Sequence, residues 1–496
     1  NSEPVNVDIT PSPSPTARPA DVVSFVAAGD NLIHGVIFMQ AANRSTDGGY
    51  DFDYVYENTE DYFDKFDVRF INQETLVNDA YAPSHYPQFS TPIEMGEKVL
   101  DMGFDVVGTS NNHSYDKGVK GIKSSLEYWN NKDVVNVGFY TGDDNKDIKY
   151  LTVNNIKIAF LAYTYGTNGI SIYDDTSPHI INCDDFDTID RQVAIAKENS
   201  DIVIVSCHWG WEDTNNVNDY QKYVADHLNK IGVDVIIGTH PHVIQTVEWR
   251  TNTENDNKTL ICYSLGNFVS AQSRANNMLG GLFQFNIVKS YDENGTETVS
   301  VLSPYFVPTI THYDYNYSHV RNYLLWDYTP ELAAKHGVKP HDNKFSFDYI
   351  ESIVPIVENG EEIGFVITFT ESGSVTIYHG KDGADGEDGQ NGANGQDGIN
   401  GTAAALCCPV PGIYRPVNQR LSGIGSDICI NATIGRAQKS RSFTDYFLDH
   451  FSTSVFRLSV AFLIQCLIYT LHALKSRIKL IITEEISASN PAVELI

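Results

Sequence analysis

The sequence lacks the features that mark several classes of protein. It has 34 Lys and Arg against 64 Asp and Glu, a net charge of -30, so it has no basic excess for general electrostatic binding to nucleic acid or anionic lipid. Its 7 cysteines are few for 496 residues, and they include no Cys-x-x-Cys pair, which argues against a disulfide scaffold or a zinc knuckle. Hydrophobic residues make up 42% of the chain, so most of it is predicted to fold around a large core.

The length and the first residues predict more than one structural unit. A chain of 496 residues exceeds a single ordinary domain of roughly 100–200 residues. It begins at Asn1 without an apolar signal core, as expected for a processed or trimmed form. Residues 8–20 alternate Pro with small polar residues, so residues 1–21 are predicted to be a Pro/Ser-rich tether. An ordinary disordered terminus is the alternative.

One true repeat occurs, at residues 380–401. Glycine stands at every third position there, which is the requirement of the collagen triple helix, because no side chain fits its axis. The stretch contains no proline, and Asp and Asn fill the other positions. Two alternatives stay open: a homotrimer through a triple helix at 381–401, or a flexible acidic linker.

The last segment, residues 402–496, differs in composition from the rest. It has 9 Lys and Arg and 6 Asp and Glu, a net of +3, so the remainder carries 25 - 58 = -33. It contains an apolar run at 458–474, at the short limit for a membrane span of roughly 17–25 residues. A membrane span, a buried or interfacial helix, and a tail not native to the reading frame of the domain remain as alternatives, and the segment is left unassigned.

Apolar runs alternate with amphipathic stretches from Val22 onward. Runs without polar alternation are typical of strands buried on both faces, and helices between them indicate crossover connections. The predicted strands are 23–28, 68–72, 106–109, 156–163, 202–206, 233–237 and 260–263, and the predicted helices lie near 53–65, 92–102, 117–130, 186–198 and 219–230. This pattern predicts an α/β domain over 22–330 with helices covering a mainly parallel or mixed sheet. Residues 331–379 are predicted to be a β-rich closing segment or appendage.

Several predicted strands are followed by residues that bind metal ions. These residues are Asp30, Glu74, Asn112, His113, His208, His240 and His242. Ligands of open α/β sheets bind at the carboxyl ends of the strands, so we expect these side chains to converge. Carboxylate, imidazole and amide oxygen together suit Zn²⁺, Mn²⁺ or Fe. The sequence therefore predicts a metal site.

The same residues carry a family resemblance. The motifs are Gly29-Asp30, Asn72-Gln73-Glu74, Asn111-Asn112-His113-Ser114-Tyr115-Asp116-Lys117-Gly118, His208-Trp209-Gly210-Trp211-Glu212, Gly238-Thr239-His240-Pro241-His242-Val243-Ile244-Gln245 and Tyr263-Ser264-Leu265-Gly266-Asn267-Phe268. In this order they resemble the bacterial CapA-like poly-γ-glutamate capsule-synthesis proteins. That family is similar to the calcineurin-like metallophosphatases, so the resemblance implies a four-layer α/β/β/α sandwich. It runs from about Val22 to Phe268.

The resemblance implies roles for the motif residues. The implied ligands of one or two divalent ions are Asp30, Glu74 as the bridging carboxylate, Asn112, His208, His240 and His242. His113 is the implied general acid or electrostatic group, with Asn112 beside it. Metallophosphatases begin with Asp-x-His, whereas here Asn31 and Leu32 follow Asp30, and Glu74 stands where phosphatases carry Asp. A phosphatase-type two-metal site is therefore less expected than metal binding as such.

A second group is expected around these ligands. His34 is the histidine nearest the first motif, Asp116 and Glu212 are expected to orient ligating histidines, Trp209 to wall the pocket, and Asn267 to shape a turn or contact substrate.

Two classes of function compete. The first is a metal-dependent hydrolase or transferase acting on poly-γ-glutamate or a related cell-envelope polymer, and the second is a non-catalytic component that binds, exports or anchors the polymer. A metallophosphoesterase is a further alternative. The expected partners are the anionic polymer and a membrane or capsule synthase, but no nucleic acid. The expected location is extracellular, at the cell surface or membrane-anchored, because solvated spacers at both ends suit reach across an envelope.

Overall fold

The computed structural model describes residues 18–172, 177–339, 341–342, 345, 350–358, 361–369 and 373–378. Most of the predicted tether, the glycine repeat at 380–401 and the tail at 402–496 lie outside these residues. Within them, no helix combines the length and the apolar character needed to cross a membrane. The apolar run at 458–474 also falls outside the described residues.

The described chain folds into strands and helices that alternate through its first half. The strands are β1 (Asp21–Asn31), β2 (Val68–Asn72), β3 (Val106–Gly108), β4 (Val135–Val137), β5 (Lys149–Val153), β6 (Ile156–Thr164), β7 (Ile202–His208), β8 (Val235–Thr239), β9 (Val247–Thr251), β10 (Lys258–Cys262), β11 (Asn267–Val269), β12 (Leu279–Tyr291), β13 (Glu297–Asp314), β14 (Ser318–Leu324), β15 (Ile350–Glu358), β16 (Glu361–Phe369) and β17 (Gly373–Tyr378). The α-helices are α1 (Gly35–Arg44), α2 (Asp53–Tyr56), α3 (Ile93–Asp101), α4 (Gly118–Asn130), α5 (Asp144–Asp147), α6 (Phe186–Asn199), α7 (Asp219–Ile231) and α8 (Pro330–Lys335). Short 3-10 helices lie at Glu60–Lys65, Ala275–Met278, Tyr315–Tyr317 and Leu325–Asp327.

The strands form two mixed sheets. The first has the order β14-β13-β12-β1-β2-β3-β4, with β11 also pairing with β1. Its β1 to β4 are parallel, and β12 to β14 add an antiparallel meander. The second has the order β15-β16-β17-β9-β10-β8-β7-β6-β5. In it β6, β7, β8 and β10 are parallel.

The two sheets pack face to face. Alternate residues of β6 point to opposite sides, so Ile158 and Phe160 join the core shared with the first sheet, whereas Leu161 joins the core on the other face. The rings of Phe25 on β1 and Phe160 stack across this interface with centroids 6.3 Å apart. This face-to-face core holds the two sets of strand ends at one edge.

Helices cover the outer faces. Val193 of α6 and Val224 and Leu228 of α7 pack on the second sheet. The other face of the first sheet meets the segment after β1, where the Gln284 side chain on β12 donates to the Tyr62 hydroxyl at 2.8 Å. The prediction of an α/β protein with helices over a mixed sheet is confirmed, and the helices lie outside a pair of sheets.

Local sequence explains the best-defined helix. The Asn218 side chain accepts from the Gln221 backbone N–H, and the Gln221 side chain accepts from the Asn218 backbone N–H, which forms a capping box at the start of α7. Gly232 ends the helix at φ 88°, a left-handed conformation that glycine adopts without steric cost. This helix therefore begins and ends where its sequence signals predict.

One prediction about an element boundary needs correction. The helix predicted over 53–65 is α2 followed by a separate 3-10 helix, with Glu57 to Thr59 between them. The segment 331–379 is predicted as a β-rich closing segment or appendage. Its described residues include β15 to β17, and β17 pairs with β9 through Ile377 and Val247. Ile367 and Val375 are buried in the hydrophobic core, so these three strands extend the second sheet.

Candidate metal centre

The predicted ligands lie together at the carboxyl ends of strands from both sheets. Asp30 is the second-last residue of β1, Glu74 follows β2, Asn112 follows β3, His208 ends β7, and His240 follows β8. Each of these side chains is 3% exposed or less. The convergence predicted from strand ends is therefore present, although the strands belong to two sheets rather than one.

Glu74 is at the centre of the cluster. Its Oε1 lies 3.8 Å from His208 Nε2 and 3.7 Å from His242 Nε2. Neither carboxylate oxygen has a hydrogen-bond partner among the described residues. A buried carboxylate without donors is costly, because burial removes water without replacing its hydrogen bonds.

Asp30 is held by hydrogen bonds from three directions. Asn72 Nδ2 donates to its Oδ1 at 2.8 Å, His242 Nδ1 lies 3.0 Å from its Oδ2, and the His240 backbone N–H donates to the carboxylate at 3.3 Å. Asn72 was not among the predicted site residues, although it stands in the quoted motif beside Glu74. Its amide fixes the orientation of the Asp30 carboxylate toward the histidines.

His208 connects the two sheets. Its Nε2 lies 3.0 Å from Oδ1 of Asn112, a residue that follows β3 of the first sheet. Its Nδ1 lies 2.9 Å from Thr239 Oγ1. Burial lowers the pKa of His208 well below its usual value, and the neighbouring imidazoles of His240 and His242 lower it further. A neutral imidazole is the form that binds metal.

The turn after β8 has an unusual backbone. His240 has φ 96° and His242 has φ 59°, both in the region that residues with a Cβ rarely adopt. Such conformations cost on the order of 1–3 kcal/mol each and cluster at functional sites. His240 Nδ1 is buried without a partner among the described residues. The turn therefore places two imidazoles beside Glu74 at the expense of local stability.

The cluster has more negative charge than its own residues neutralise. Burial, above all, raises the pKa of Glu74 well above its usual value. Burial alone would lower the pKa of His242, but the carboxylates of Glu74 and Asp30 raise it to about 10. Both shifts favour an added proton in the site. A divalent cation would supply the same positive charge in its place.

The donor set fits a metal ion. The side chains of Glu74, His240 and His242 offer ligand atoms within 4.8 Å of one another, and so do those of Asp30, Glu74 and His208. The two groups share Glu74. Its two oxygens and His240 Nδ1 have no hydrogen-bond partner among the described residues, and a bound cation would take the place of that partner. Because the two groups share one carboxylate, these residues could hold one or two divalent ions.

His113 lies beside this cluster and is oriented by a carboxylate. Its Nδ1 is 2.8 Å from Asp116 Oδ2, which also accepts from the Phe89 backbone N–H at 2.6 Å. The Phe89 ring packs edge-on against His113 with centroids 4.7 Å apart. With Nδ1 engaged and the ring held on one side, Nε2 of His113 is the nitrogen left for chemistry. The predicted role of Asp116 in orienting a histidine matches this contact.

The remaining predicted residues surround the cluster at different depths. His34 begins α1, and burial lowers its pKa to about 4. Glu212 is exposed, and its charge adds to the burial that raises the pKa of Glu74. Asn267 is buried beside Asp30 in the β1–β11 register, and its Nδ2 donates to Gln272 Oε1 at 2.7 Å. These contacts order the loop after β11, as a turn-shaping residue would.

The expectation that Trp209 walls the pocket is wrong. Its ring is fully buried on the helix side of the second sheet, where it stacks on Tyr263 and its Nε1 donates to the Tyr263 carbonyl oxygen at 3.0 Å. Successive residues at a strand end face opposite sides. Because His208 faces the metal site, Trp209 faces α7.

One residue at the site was missed. Tyr165 follows β6, and its ring lies 4.5 Å from the His240 ring, centroid to centroid. Burial raises the pKa of Tyr165 to about 12, and the negative charges of Glu212 and Glu74 raise it too. Its position directly after an apolar strand was the signal that could have identified it, by the rule that found the ligands.

Fold and site define a two-sheet α/β protein with a buried carboxylate and imidazole cluster suited to metal. The model of the family described as bacterial capsule synthesis protein PGA_cap matches residues 24–272. The chain belongs to this family, and the resemblance seen in its motifs is confirmed.

Two curated relatives agree with this assignment. The chain is 36% identical over 202 residues to the PGA biosynthesis protein CapA of Bacillus subtilis (strain 168), a match covering 40% of this chain and 50% of the relative. It is 30% identical over 268 residues to the capsule biosynthesis protein CapA of Bacillus anthracis, covering 51% of this chain and 61% of the relative. The chain thus spans about half to three-fifths of the length of these relatives. Among solved structures, the NAD nucleotidase of Haemophilus influenzae aligns with a TM-score of 0.33 and 13% identity, over 59% of this chain and 51% of that one.

Proposed function

We propose that this chain is a metal-dependent hydrolase or transferase that acts on poly-γ-glutamate or a related polymer of the bacterial cell envelope. The observation that carries the proposal is Glu74, a buried carboxylate that accepts no hydrogen bond from the described residues. It lies between imidazoles and close to the oriented His113. A site built only for stability would pair or remove such a charge.

The side chains have separate roles in this proposal. Asp30, Glu74, His208, His240 and His242 would hold one or two divalent ions, with Asn112 Oδ1 next to His208. Bound Zn²⁺, Mn²⁺ or Fe would supply Lewis acidity and an activated water. His113 Nε2 gives or takes the proton at the bond that changes, while Asp116 fixes the ring through Nδ1.

The choice of polymer rests on charge and on kinship. The B. subtilis relative is a PGA biosynthesis protein by name, and poly-γ-glutamate is a polyanion linked by amide bonds. A protein with net charge -30 would repel such a chain unless its site carries local positive charge. The bound cation is the source of that charge in this proposal, and the amide carbonyl is the group it would polarise.

A specific observation favours the second candidate, a component that binds or anchors the polymer without turnover. The position that carries histidine in the phosphatase motif is Leu32, and the neighbouring Asn31 is engaged, since its Nδ2 donates to Gln73 Oε1 at 2.8 Å and its Oδ1 accepts from Tyr56 at 2.6 Å. The ligand set is therefore altered from the phosphatase pattern. The same alteration makes a phosphoesterase the third candidate.

One experiment separates the three candidates. Metal-loaded protein is incubated with poly-γ-glutamate, with and without an added amine acceptor, and with a generic phosphodiester. Loss of polymer cleavage or transfer in His113→Ala, but not in His227→Ala, supports the enzyme. His227 is the matched control, because its Nε2 also pairs with a carboxylate, that of Asp190 at 2.6 Å, on helices away from the cluster. Binding without turnover, unchanged in His113→Ala, supports the anchor, and turnover of the phosphodiester alone supports the phosphoesterase.

Location and assembly belong to the same proposal. The protein would work outside the cytoplasm, with the anionic polymer and a capsule synthase or membrane as partners. Residues 381–401 would form a homotrimer if they make a triple helix. Sedimentation of the full chain as a monomer would leave the linker interpretation.

A further inference from the structure

Tyr165 covers the buried cluster from the solvent side. Its backbone N–H donates to the His208 carbonyl oxygen at 2.9 Å, which places it at the same strand edge as the ligands. Its ring is 4.5 Å from the His240 ring and nearly parallel to the His208 ring, at 6.5 Å. Tyr165 is 37% exposed, whereas the predicted ligands and His113 are 6% exposed or less. One face of the ring therefore packs on imidazoles, and the residue also contacts solvent.

The position of the Tyr165 hydroxyl is limited by the packing of its ring on His240, and Asn112 lies beside it. Asn112 is itself held, because its Oδ1 lies 3.0 Å from His208 Nε2 and its Nδ2 donates to Asn168 Oδ1 at 3.4 Å. The hydroxyl thus lies at the rim beside Asn112, a predicted ligand that directly precedes His113 in the chain, and it can donate a hydrogen bond.

The acidic side chains at this edge favour a neutral hydrogen-bond donor for binding an anionic substrate. Glu212 lies four residues after His208 and is exposed. Asp213 pairs with Arg274 at 2.5 Å, so the charge of this arginine is already neutralised by a carboxylate of the protein. A carboxylate of a substrate would find acidic side chains around the entrance. A neutral hydroxyl can donate to it without the competition that an ion pair would meet from these carboxylates.

We propose that Tyr165 is the substrate-positioning residue of this site, with its ring against the methylene groups of a γ-linked glutamyl unit and its hydroxyl donating to a carboxylate or amide oxygen of that unit. The inference rests on the proposed function, and it holds for an enzyme and for a binding component. The ligand that Tyr165 would position is the acidic, amide-linked polymer of the proposed function.

The test compares Tyr165→Phe, Tyr165→Ala and the control Tyr223→Phe, an exposed tyrosine on α7. Binding of a labelled poly-γ-glutamate oligomer to the metal-loaded full chain is measured at equilibrium, together with bound metal and, where turnover occurs, KM and kcat. We expect Tyr165→Phe to weaken binding roughly ten- to a hundredfold, with KM affected more than kcat and bound metal unchanged. Tyr223→Phe should behave as the wild type.

The outcomes separate this inference from the proposed function. If the wild type binds the polymer and Tyr165→Phe binds it with the same affinity, the role of the hydroxyl is overturned and the proposed function stays in place. If Tyr165→Ala loses bound metal while Tyr165→Phe binds metal and polymer like the wild type, the ring only covers His240. That result also overturns the inference. A wild-type protein that neither binds nor cleaves the polymer overturns both.

Discussion

Glu74 is buried and accepts no hydrogen bond from the residues that the structure describes, and each property destabilises an ionised carboxylate. We expect Glu74→Gln to abolish most metal binding, because an amide is a poorer metal ligand than the carboxylate that both groups share. The same change should raise the stability of the metal-free protein by about 1–2 kcal/mol, since it removes a buried charge. Urea unfolding in chelator and metal analysis measure the two effects. A metal-free variant less stable than the metal-free wild type would contradict the prediction that the Glu74 charge destabilises the fold.

The turn of His240 and His242 provides a second test at the same scale. These residues offer two of the imidazoles near Glu74 from one backbone segment. Replacing both by alanine should remove most of the one or two ions expected per chain in protein purified without chelator. His319→Ala serves as the control, because His319 is exposed and pairs with Asp314. Unchanged metal content in the double variant would refute the ligand assignment.

Strands of the central sheets place the site, and their packing can be tested through Gly29. A Cβ on Gly29 would lie 2.0 Å from the Gly266 carbonyl oxygen, the atom that accepts from the Asp30 backbone N–H at 3.0 Å. Gly29→Ala should therefore separate β1 from the turn before β11, destabilise the protein by about 1–3 kcal/mol and weaken metal binding. Gly166→Ala, where a Cβ meets open space, is the control. Equal melting temperatures and metal contents for the two variants would contradict this packing.

The junction of α8 with β13 predicts a pH dependence. His336 is buried between the two, its Nε2 3.0 Å from the Thr311 carbonyl oxygen, and burial lowers its pKa to about 3. An unfolded histidine has a pKa of about 6.5, so the unfolded chain binds more protons between pH 3 and 6.5, and stability falls as pH falls through that range. At pH 5.5 the loss should be about 1.4 kcal/mol relative to neutral pH.

His336→Gln tests this, because a neutral side chain does not titrate. In metal-free protein, the drop in unfolding free energy between pH 7.5 and 5.5 should be smaller in the variant by that amount. Tyr223→Phe, an exposed change on α7, should keep the wild-type drop. Identical pH slopes for the wild type and His336→Gln would mean that His336 takes up a proton in the folded state.

Element periodicity explains which parts of the site could be predicted from sequence. The predicted strands at 68–72 and 156–163 are nearly those observed, because unbroken apolar runs mark strands buried on both faces. Period-two alternation would also have placed Trp209 opposite His208. Pairing of β17 with β9 could not be predicted, because register between distant segments depends on packing that no local pattern records. The strained turn at His240 likewise has no local signal.

At the scale of the whole molecule, charge and sheet topology give different boundaries. The charge changes from -33 to +3 near Thr402, whereas the second sheet takes its last described strand from Gly373–Tyr378. Truncation of the chain between Tyr378 and Thr402 should leave the second sheet complete. The glycine repeat would then act as a spacer and not as part of the metal domain.

Two truncated chains test this division. A chain ending at 379 should keep bound metal and cooperative unfolding, because β17 still pairs with β9. A chain ending at 345 should lose stability, because it removes the hairpin strands whose Ile367 and Val375 are buried between the sheets. Burying those two side chains contributes about 3–6 kcal/mol, a large share of the stability of an ordinary domain. If the chain ending at 379 lost its metal or its cooperative transition while the full chain kept both, residues 380–496 would have to be counted as part of the metal domain.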